Sequence, residues 1–249
     1  MAEPAQLTYY GHSGFKLTLP SGKILLIDPW ITNPLNKRGQ EDLAALDRVD
    51  LICLTHAHSD HVGDAVEIAK RTRAKLVANF DVAAAVRTVL GYPAELADTE
   101  AIGHIGGEVK LFEGELTARF TPAWHGSSAQ RDDNSPPFYA GTPSGLVLSL
   151  RDGPTIYHTG DTDLFSDMAL VSRFTPIDWM LVCMGDHFTM GPRRAAAAVE
   201  FVKPRFVVPI HFGTFALLTG TPEALETEMR AAGSKAELRT LKPRETIAL

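Results

Sequence analysis

The sequence predicts a mixed α/β protein of the α+β kind, arranged as a four-layer αββα sandwich. Three observations lead there. Each half of the chain opens with short apolar runs joined by turn residues and continues as strand–helix alternation. A length of 249 residues, 45% hydrophobic and 22% charged, suits a soluble globular protein with a buried core, in one large domain or two small ones. Histidines and aspartates fall at the ends of several apolar runs. Periodicity alone supports only a mixed α/β class; the sandwich, one domain over residues 1–249, rests on the motifs described below.

In the first half, Leu7 to Leu19 and Lys23 to Asp28 read as two β-rich runs joined by the turn Pro20-Ser21-Gly22. Val49 to Leu54 suits a buried strand ending at Thr55-His56. Gly63 to Arg73 shows helical spacing, with Val66, Ile68 and Ala69 apolar, and Lys75 to Ala78 is a short strand. Asp81 is expected to cap a helix running to about Leu90, stopped by Gly91 and Pro93. In the second half, Val109–Phe112 pairs with Leu116–Phe120 around Glu113-Gly114, and Leu146–Leu150 with Thr155–Tyr157 around Asp152-Gly153-Pro154. A helix over Phe165–Phe174, a strand over Trp179–Met184, a helix over Pro192–Val202 and a strand over Phe206–Ile210 follow. Thr221 caps a helix over Pro222–Ala232, and Glu237–Leu241 is the expected final strand. Trp124 to Gly145 is rich in Gly, Ser and Pro and has no periodicity. So long a loop is usually functional, and Phe138 and Tyr139 make it a candidate lid over the site.

The net charge of −6, with no dense Lys/Arg run, provides no general attraction for nucleic acid or an anionic membrane. The two cysteines, Cys53 and Cys183, lie in apolar runs and read as buried strand thiols rather than a disulfide. No apolar run approaches the roughly 18 residues of a membrane span, and no basic start precedes an apolar leader. A cytoplasmic enzyme with a small-molecule substrate is the expectation, with a homo-oligomer left open.

The strongest chemical signal is Thr55-His56-Ala57-His58-Ser59-Asp60-His61. Three histidines and an aspartate fall within six residues, in a chain with only nine histidines, at the end of an apolar strand. Imidazole is the commonest neutral nitrogen ligand for zinc-like ions. Alternation points His56 and His58 the same way, while Asp60 and His61, past the turn, can address a second ion. His125 follows the strand ending at Phe120, Asp161 follows Thr155–Tyr157, and His211 ends Phe206–Ile210. Taken singly, each is weak, because a lone strand-end His is more often a satisfied structural residue. Together they supply the ligand count of a two-metal site, with Asp161 as a carboxylate that can bridge two cations.

The order Asp28, His56-x-His58-x-Asp60-His61, His125, Asp161, His211 resembles the signature of the metallo-β-lactamase superfamily over nearly the whole chain. Closer matches are Gly11-His-Ser-Gly-Phe15, Leu26-Ile-Asp-Pro29, Val77-Ala-Asn-Phe80, Tyr157-His-Thr-Gly-Asp-Thr162, Leu164-Phe-Ser-Asp-Met168, Gly185-Asp-His-Phe-Thr-Met-Gly-Pro192 and Pro209-Ile-His211. These resemble the branch labelled metal-dependent hydrolases, related to the L-ascorbate-6-phosphate lactonases and more distantly to N-acyl-phosphatidylethanolamine phospholipase D. The resemblance implies the αββα metallo-β-lactamase sandwich. It assigns His56, His58 and His125 to one metal, Asp60, His61 and His211 to the other, and Asp161 to the bridge. Relatives often carry Asn where this chain has His187.

On that reading the cofactors are two divalent ions, zinc first, with Mn2+ or Fe2+ as alternatives. A bridging hydroxide attacks a small ester, lactone, amide or phosphoester. Asp161 fixes the metal spacing, Asp60 can accept or pass a proton, and His187 is the candidate leaving-group acid. Asp28 is expected to support the ligand loop through a histidine's free ring nitrogen. His12 is expected to be structural or to support the ligands, His104 to be a loop residue and His158 to pack away from the site. Trp30, Trp124, Phe138, Tyr139, Phe188 and Phe215 are candidates for an apolar pocket. The rival readings are a phosphodiesterase or nuclease, disfavoured by charge; an iron enzyme, whose oxygen-reducing relatives carry Glu where this chain has His58; and a non-catalytic metal-binding protein.

Overall fold

A computed structural model describes residues 3–249, so the first two positions of the expected domain lie outside the described residues. In chain order the strands are β1 (Gln6–Gly11), β2 (Gly14–Thr18), β3 (Ile24–Ile27), β4 (Leu51–Cys53), β5 (Lys75–Asn79), β6 (Ile102–Gly103), β7 (Glu108–Leu111), β8 (Leu116–Pro122), β9 (Ser128–Ala129), β10 (Phe138–Tyr139), β11 (Ser144–Leu150), β12 (Thr155–His158), β13 (Trp179–Cys183), β14 (Phe206–Ile210), β15 (Glu237–Leu238) and β16 (Thr246–Ala248). The helices are α1 (Gly39–Ala44), α2 (Ser59–Val62), α3 (Ala65–Thr72), α4 (Phe80–Leu90), α5 (Met168–Val171), α6 (Pro192–Val202) and α7 (Pro222–Ala231).

Two seven-stranded sheets form, in the orders β16-β1-β2-β3-β4-β5-β6 and β15-β14-β13-β12-β11-β8-β7. Each is antiparallel on one side and parallel on the other. Alternation along the first sheet separates its two faces. Leu25 and Ile27 of β3, Leu51 and Cys53 of β4 and Val77 of β5 share one core with residues of the second sheet. Leu26, Ile52, Leu54, Leu76 and Ala78 face the other way, into a core shared with α3 and α4. The second sheet is buried against α6 and α7 on its far side. The result is the αββα sandwich. No helix among the described residues is long and apolar enough to cross a membrane.

The parallel strands end near one edge, Ile27 beside Cys53 and Cys183 beside Ile210, with β12 ending at His158 beside Leu181. Backbone hydrogen bonds tie the two sheets at this edge: Ser144 N–H donates to Thr55 O (3.0 Å) and His211 N–H to His12 O (2.8 Å). An α/β layer presents its functional loops at such an edge.

Several elements differ from the sequence reading, each for a local reason. The Leu7–Leu19 run is two strands, because Gly11 (φ +107°) and His12 (φ +54°) turn the chain between them. The helix expected over Gly63–Arg73 starts at Ala65, after a separate turn α2 that Gly63 ends. Gly63 (φ +42°) lies against the Trp30 backbone, where a side chain would overlap it. Asn79, not Asp81, caps α4, its side chain accepting from Val82 N (3.0 Å). The Phe165–Phe174 helix shrinks to Met168–Val171; Leu170 and Phe174 stay exposed, so there is no continuous apolar face to bury. β15 stops at Leu238, and the chain returns as β16 beside β1, a pairing between distant segments that local pattern does not encode. Thr221 does cap α7, accepting from Ala224 N, and both cysteines are free and buried.

The Trp124–Gly145 segment is not a lid. Its β9–β10 hairpin lies on α4, where Ala129 and Ala140 join the core of Val82, Ala83 and Val86. Asn79 Nδ2–H donates to Thr142 O (2.7 Å) and fixes the return strand. Phe138 and Tyr139 are exposed there and line neither cavity beside the histidine cluster.

Candidate metal centre

The strand ends at this edge deliver Asp28 after β3, His56 and His58 after β4, Asp161 after β12 and His211 after β14. Asp60 and His61 come from the single turn α2, and His125 from the loop after β8. The structure brings all seven expected ligands together around one cavity of about 250 Å3, whose lining includes His58, Asp60, His125, Asp161 and His211. His56 Nε2 and His58 Nδ1 lie 3.0 Å apart, and one ring nitrogen each of His56, His58 and His125 falls within 4.8 Å of the others. His61, Asp60, His211 and His12 form a second group on the same criterion. Asp161 spans the two: Oδ2 is 2.9 Å from His211 Nε2 and 3.6 Å from His125 Nε2, and Oδ1 is 3.3 Å from His61 Nε2.

Hydrogen bonds behind the cluster set which nitrogens face it. Asp28 is fully buried and accepts Thr55 N–H (2.9 Å), the Thr55 hydroxyl (2.7 Å) and His61 Nδ1–H (2.7 Å). Because the Thr55 hydroxyl spends its proton on Asp28, it accepts from His56 Nδ1 (3.0 Å). In their neutral forms His56 and His61 are thereby both held with the proton on Nδ1 and with Nε2 toward the cavity. His12 does the same for Asp60. An ionised carboxylate can only accept, so His12 Nε2–H donates to Asp60 Oδ2 (3.1 Å) and Nδ1 accepts the Thr214 hydroxyl (2.8 Å). Glycine is required at 185, where any side chain would overlap the His211 carbonyl.

Electrostatics divide the histidines. Burial holds His56 well below the usual histidine range and lowers His58 and His125 too, so these three imidazoles are neutral at pH 7 and able to accept a cation. Burial lowers His12 to about 4. Burial also opposes charge on His61 and His211, but Asp161 outweighs it, helped by Asp28 at His61 and Asp60 at His211. His61 ends well above its ordinary value and His211 is pushed up to about 9. Burial is likewise overcome at both carboxylates: His12 and His211 hold Asp60 below the usual carboxylate range, and His211 and His61 hold Asp161 well below it.

The arrangement fits divalent cations. His61 Nε2 and Asp161 Oδ1 are buried and face only each other, 3.3 Å apart; without a cation, the proton that Asp161 holds on His61 is what offsets the carboxylate charge. A cation satisfies a free imidazole nitrogen and a carboxylate oxygen at once, and the convergence of His56 Nε2 and His58 Nδ1 marks a second such point.

His187 is not brought into this cluster. Asp186 (φ +68°) and His187 (φ +57°) turn the chain so that Phe188 faces the cavity, while His187 is exposed with its ring edge-on to Phe188. His158 packs away as expected, donating from Nε2 to Ser13 O (3.0 Å) and accepting Gly160 N–H at Nδ1. His104 is an exposed loop residue. Of the aromatic candidates, Trp30, Phe188 and Phe215 border the site. The sequence reading passed over Thr55 and Thr214. Thr55 was legible as the hydroxyl preceding the histidine run; nothing local marks Thr214, which meets His12 from 202 positions away.

Residues 23–212 match the β-lactamase superfamily domain. A UPF0173 metal-dependent hydrolase of Thermodesulfovibrio yellowstonii is 49% identical over 245 residues, covering 98% of this chain and 92% of the relative. One from Thermococcus kodakarensis is 41% identical over 246 residues, covering 98% and 99%. Among solved structures, Igni18, a metallo hydrolase from the archaeon Ignicoccus hospitalis, superposes with a TM-score of 0.83 at 34% identity, with 98% of each chain covered.

Proposed function

Since the chain belongs to the UPF0173 metal-dependent hydrolases of the β-lactamase superfamily, we propose that it is a two-metal hydrolase. It acts as one domain on a small ester, lactone, amide or phosphoester. His56, His58 and His125 hold one divalent ion, Asp60, His61 and His211 the other, and Asp161 reaches both. The observation that carries this reading is the convergence of seven side chains from both sheets, with buried donor atoms that face only each other. Five imidazoles and two carboxylates suit zinc first, with manganese or iron(II) as alternatives.

Bound there, two divalent ions would supply an activated water nucleophile and polarise the substrate oxygen. The chain's own residues do the rest. Asp161, held below its ordinary pKa, keeps the two donor groups in register. Asp28 and Thr55 fix the tautomers of His61 and His56. Asp60, oriented by the hydrogen bond that its Oδ2 accepts from His12, is the proposed residue for accepting or passing a proton.

The test is elemental analysis of protein purified without chelator, together with a panel of esters, lactones, amides and phosphodiesters offered to zinc-loaded protein. The expected result is about two metal equivalents per chain, more than one tetrahedral ion can account for, and metal-dependent turnover of at least one class. A constant single equivalent, with the Asp60–His61–His211 group empty at saturating metal, refutes the two-metal reading. Loaded protein that turns over nothing refutes the enzymatic one.

A further inference from the structure

The cavity over the ligands lies beside a cleft of about 620 Å3 lined by Trp30, Ser59, Asp60, Phe188, Phe215 and Leu217. Asp60, Phe188 and Phe215 line both spaces, so the two adjoin. The walls are unusually apolar for an open surface: Phe188 is 51% exposed, Phe215 39% and Leu217 53%. Two of them pack on each other and on His12. Trp30 stacks on Phe215 with centroids 5.9 Å apart, and the buried His12 ring packs edge-on against both. Aromatic surface held toward water beside a reactive centre is where a ligand gains most from burial.

Charge narrows the occupant. No Lys or Arg lines either space, and the only charged side chain lining the cleft itself is Asp60. Divalent ions at the cluster would offset Asp60 and Asp161, so it is the apolar walls, which offer a charged arm no partner, that select an uncharged one. An uncharged apolar arm has four large side chains to pack on. We infer that the cleft of Trp30, Phe188, Phe215 and Leu217 holds the alkyl or aryl group of an electrically neutral ester, with the ester itself over the ligand cluster. This rests on the hydrolase reading above and selects neutral, apolar members from its substrate classes.

The test uses binding as well as turnover. Zinc-loaded full-length protein is titrated calorimetrically with alkyl hydroxamic acids from acetohydroxamic to octanohydroxamic acid, and with chains ending in a carboxylate. Affinity is expected to rise about two- to fourfold per methylene over the first several carbons. The carboxylate-ended chains should lose that gain. A Phe188→Ser/Leu217→Ser variant, altered at two half-exposed positions, should keep its metal content and show a flattened dependence on chain length. The same protein is offered p-nitrophenyl esters of matching acyl length. Equal affinity for short and long chains, an undiminished slope in the variant, or equal binding of the carboxylate-ended series overturns the cleft assignment and leaves the hydrolase reading standing. A steep binding slope with no ester hydrolysed at any length supports the cleft as an apolar subsite and overturns the ester as its substrate. Loaded protein that binds no hydroxamate overturns the cleft assignment, while the hydrolase reading stands or falls on the wider substrate panel.

Discussion

Replacing Asp28 by asparagine keeps the shape of a fully buried side chain and removes its charge. The aspartate accepts three hydrogen bonds, Thr55 N–H at Oδ1 and both the Thr55 hydroxyl and His61 Nδ1–H at Oδ2. Asparagine cannot accept at both ends. With its amide NH2 toward Thr55 N, two donors meet, at a cost of about 1–3 kcal/mol. With its NH2 toward His61, the imidazole must change tautomer. Nδ1 then accepts, and the proton moves to Nε2, the atom that faces Asp161 Oδ1. Either arrangement weakens the donor group of Asp60, His61 and His211 more than that of His56, His58 and His125. The expected loss at the weaker site is about ten- to hundredfold in metal affinity, or about 1.4–2.8 kcal/mol. Competition with a zinc chelator of known affinity, followed by elemental analysis at each step, measures it. Circular dichroism checks that the variant is folded. A folded Asp28→Asn protein that binds two equivalents with wild-type affinity refutes the tautomer argument.

Asp161→Ala is expected to abolish turnover with the fold largely intact; a variant keeping more than about a tenth of wild-type kcat/KM, a loss under roughly 1.4 kcal/mol, contradicts the bridging role. In metal-free protein His61 and His211 hold protons at pH 7, so metal uptake should release about two protons per chain, seen as a dependence of the calorimetric heat on the buffer's ionisation enthalpy. The raised His211 contributes stability to the metal-free fold that is fully present below about 6.5 and lost as pH rises through about 9. The melting temperature of metal-free protein should therefore drop over that window more than that of loaded protein, and parallel curves would refute the pairing. Replacing Pro136–Tyr139 by a Gly/Ser stretch should leave KM within about twofold, since the hairpin lies on α4 and not over the cavity; a large change in substrate preference would place the segment in the site after all.

The candidate ligands were legible because their signal is covalent. Within His56-x-His58-x-Asp60-His61 the spacing itself, at the end of an apolar strand, determines that several donors emerge at one place. Asp161 and His211 were legible as polar residues closing strands whose apolar pattern was already clear. The repeated order of strands followed by βα units determined the layers for the same reason, since period and turn residues are local properties. What the sequence left undecided depends on residues that meet only after the sheets pack. His12 was visible as a histidine, but its bond to Asp60 and its anchor on Thr214 exist because β1 and β14 are tied at the rim, His211 N–H to His12 O. His187 and Phe188 are adjacent in sequence, yet two left-handed residues put the phenylalanine at the cavity and the histidine outside. Phe138 and Tyr139 looked equivalent to Phe188 and Phe215 as exposed aromatics in glycine-bearing loops. Burial of Ala129 and Ala140 against α4 carried the first pair away from the site. The chain thus states locally which residues can bind a metal. Which aromatic rings face the cavity is decided by the packing of distant elements, an energy that no short stretch of sequence contains.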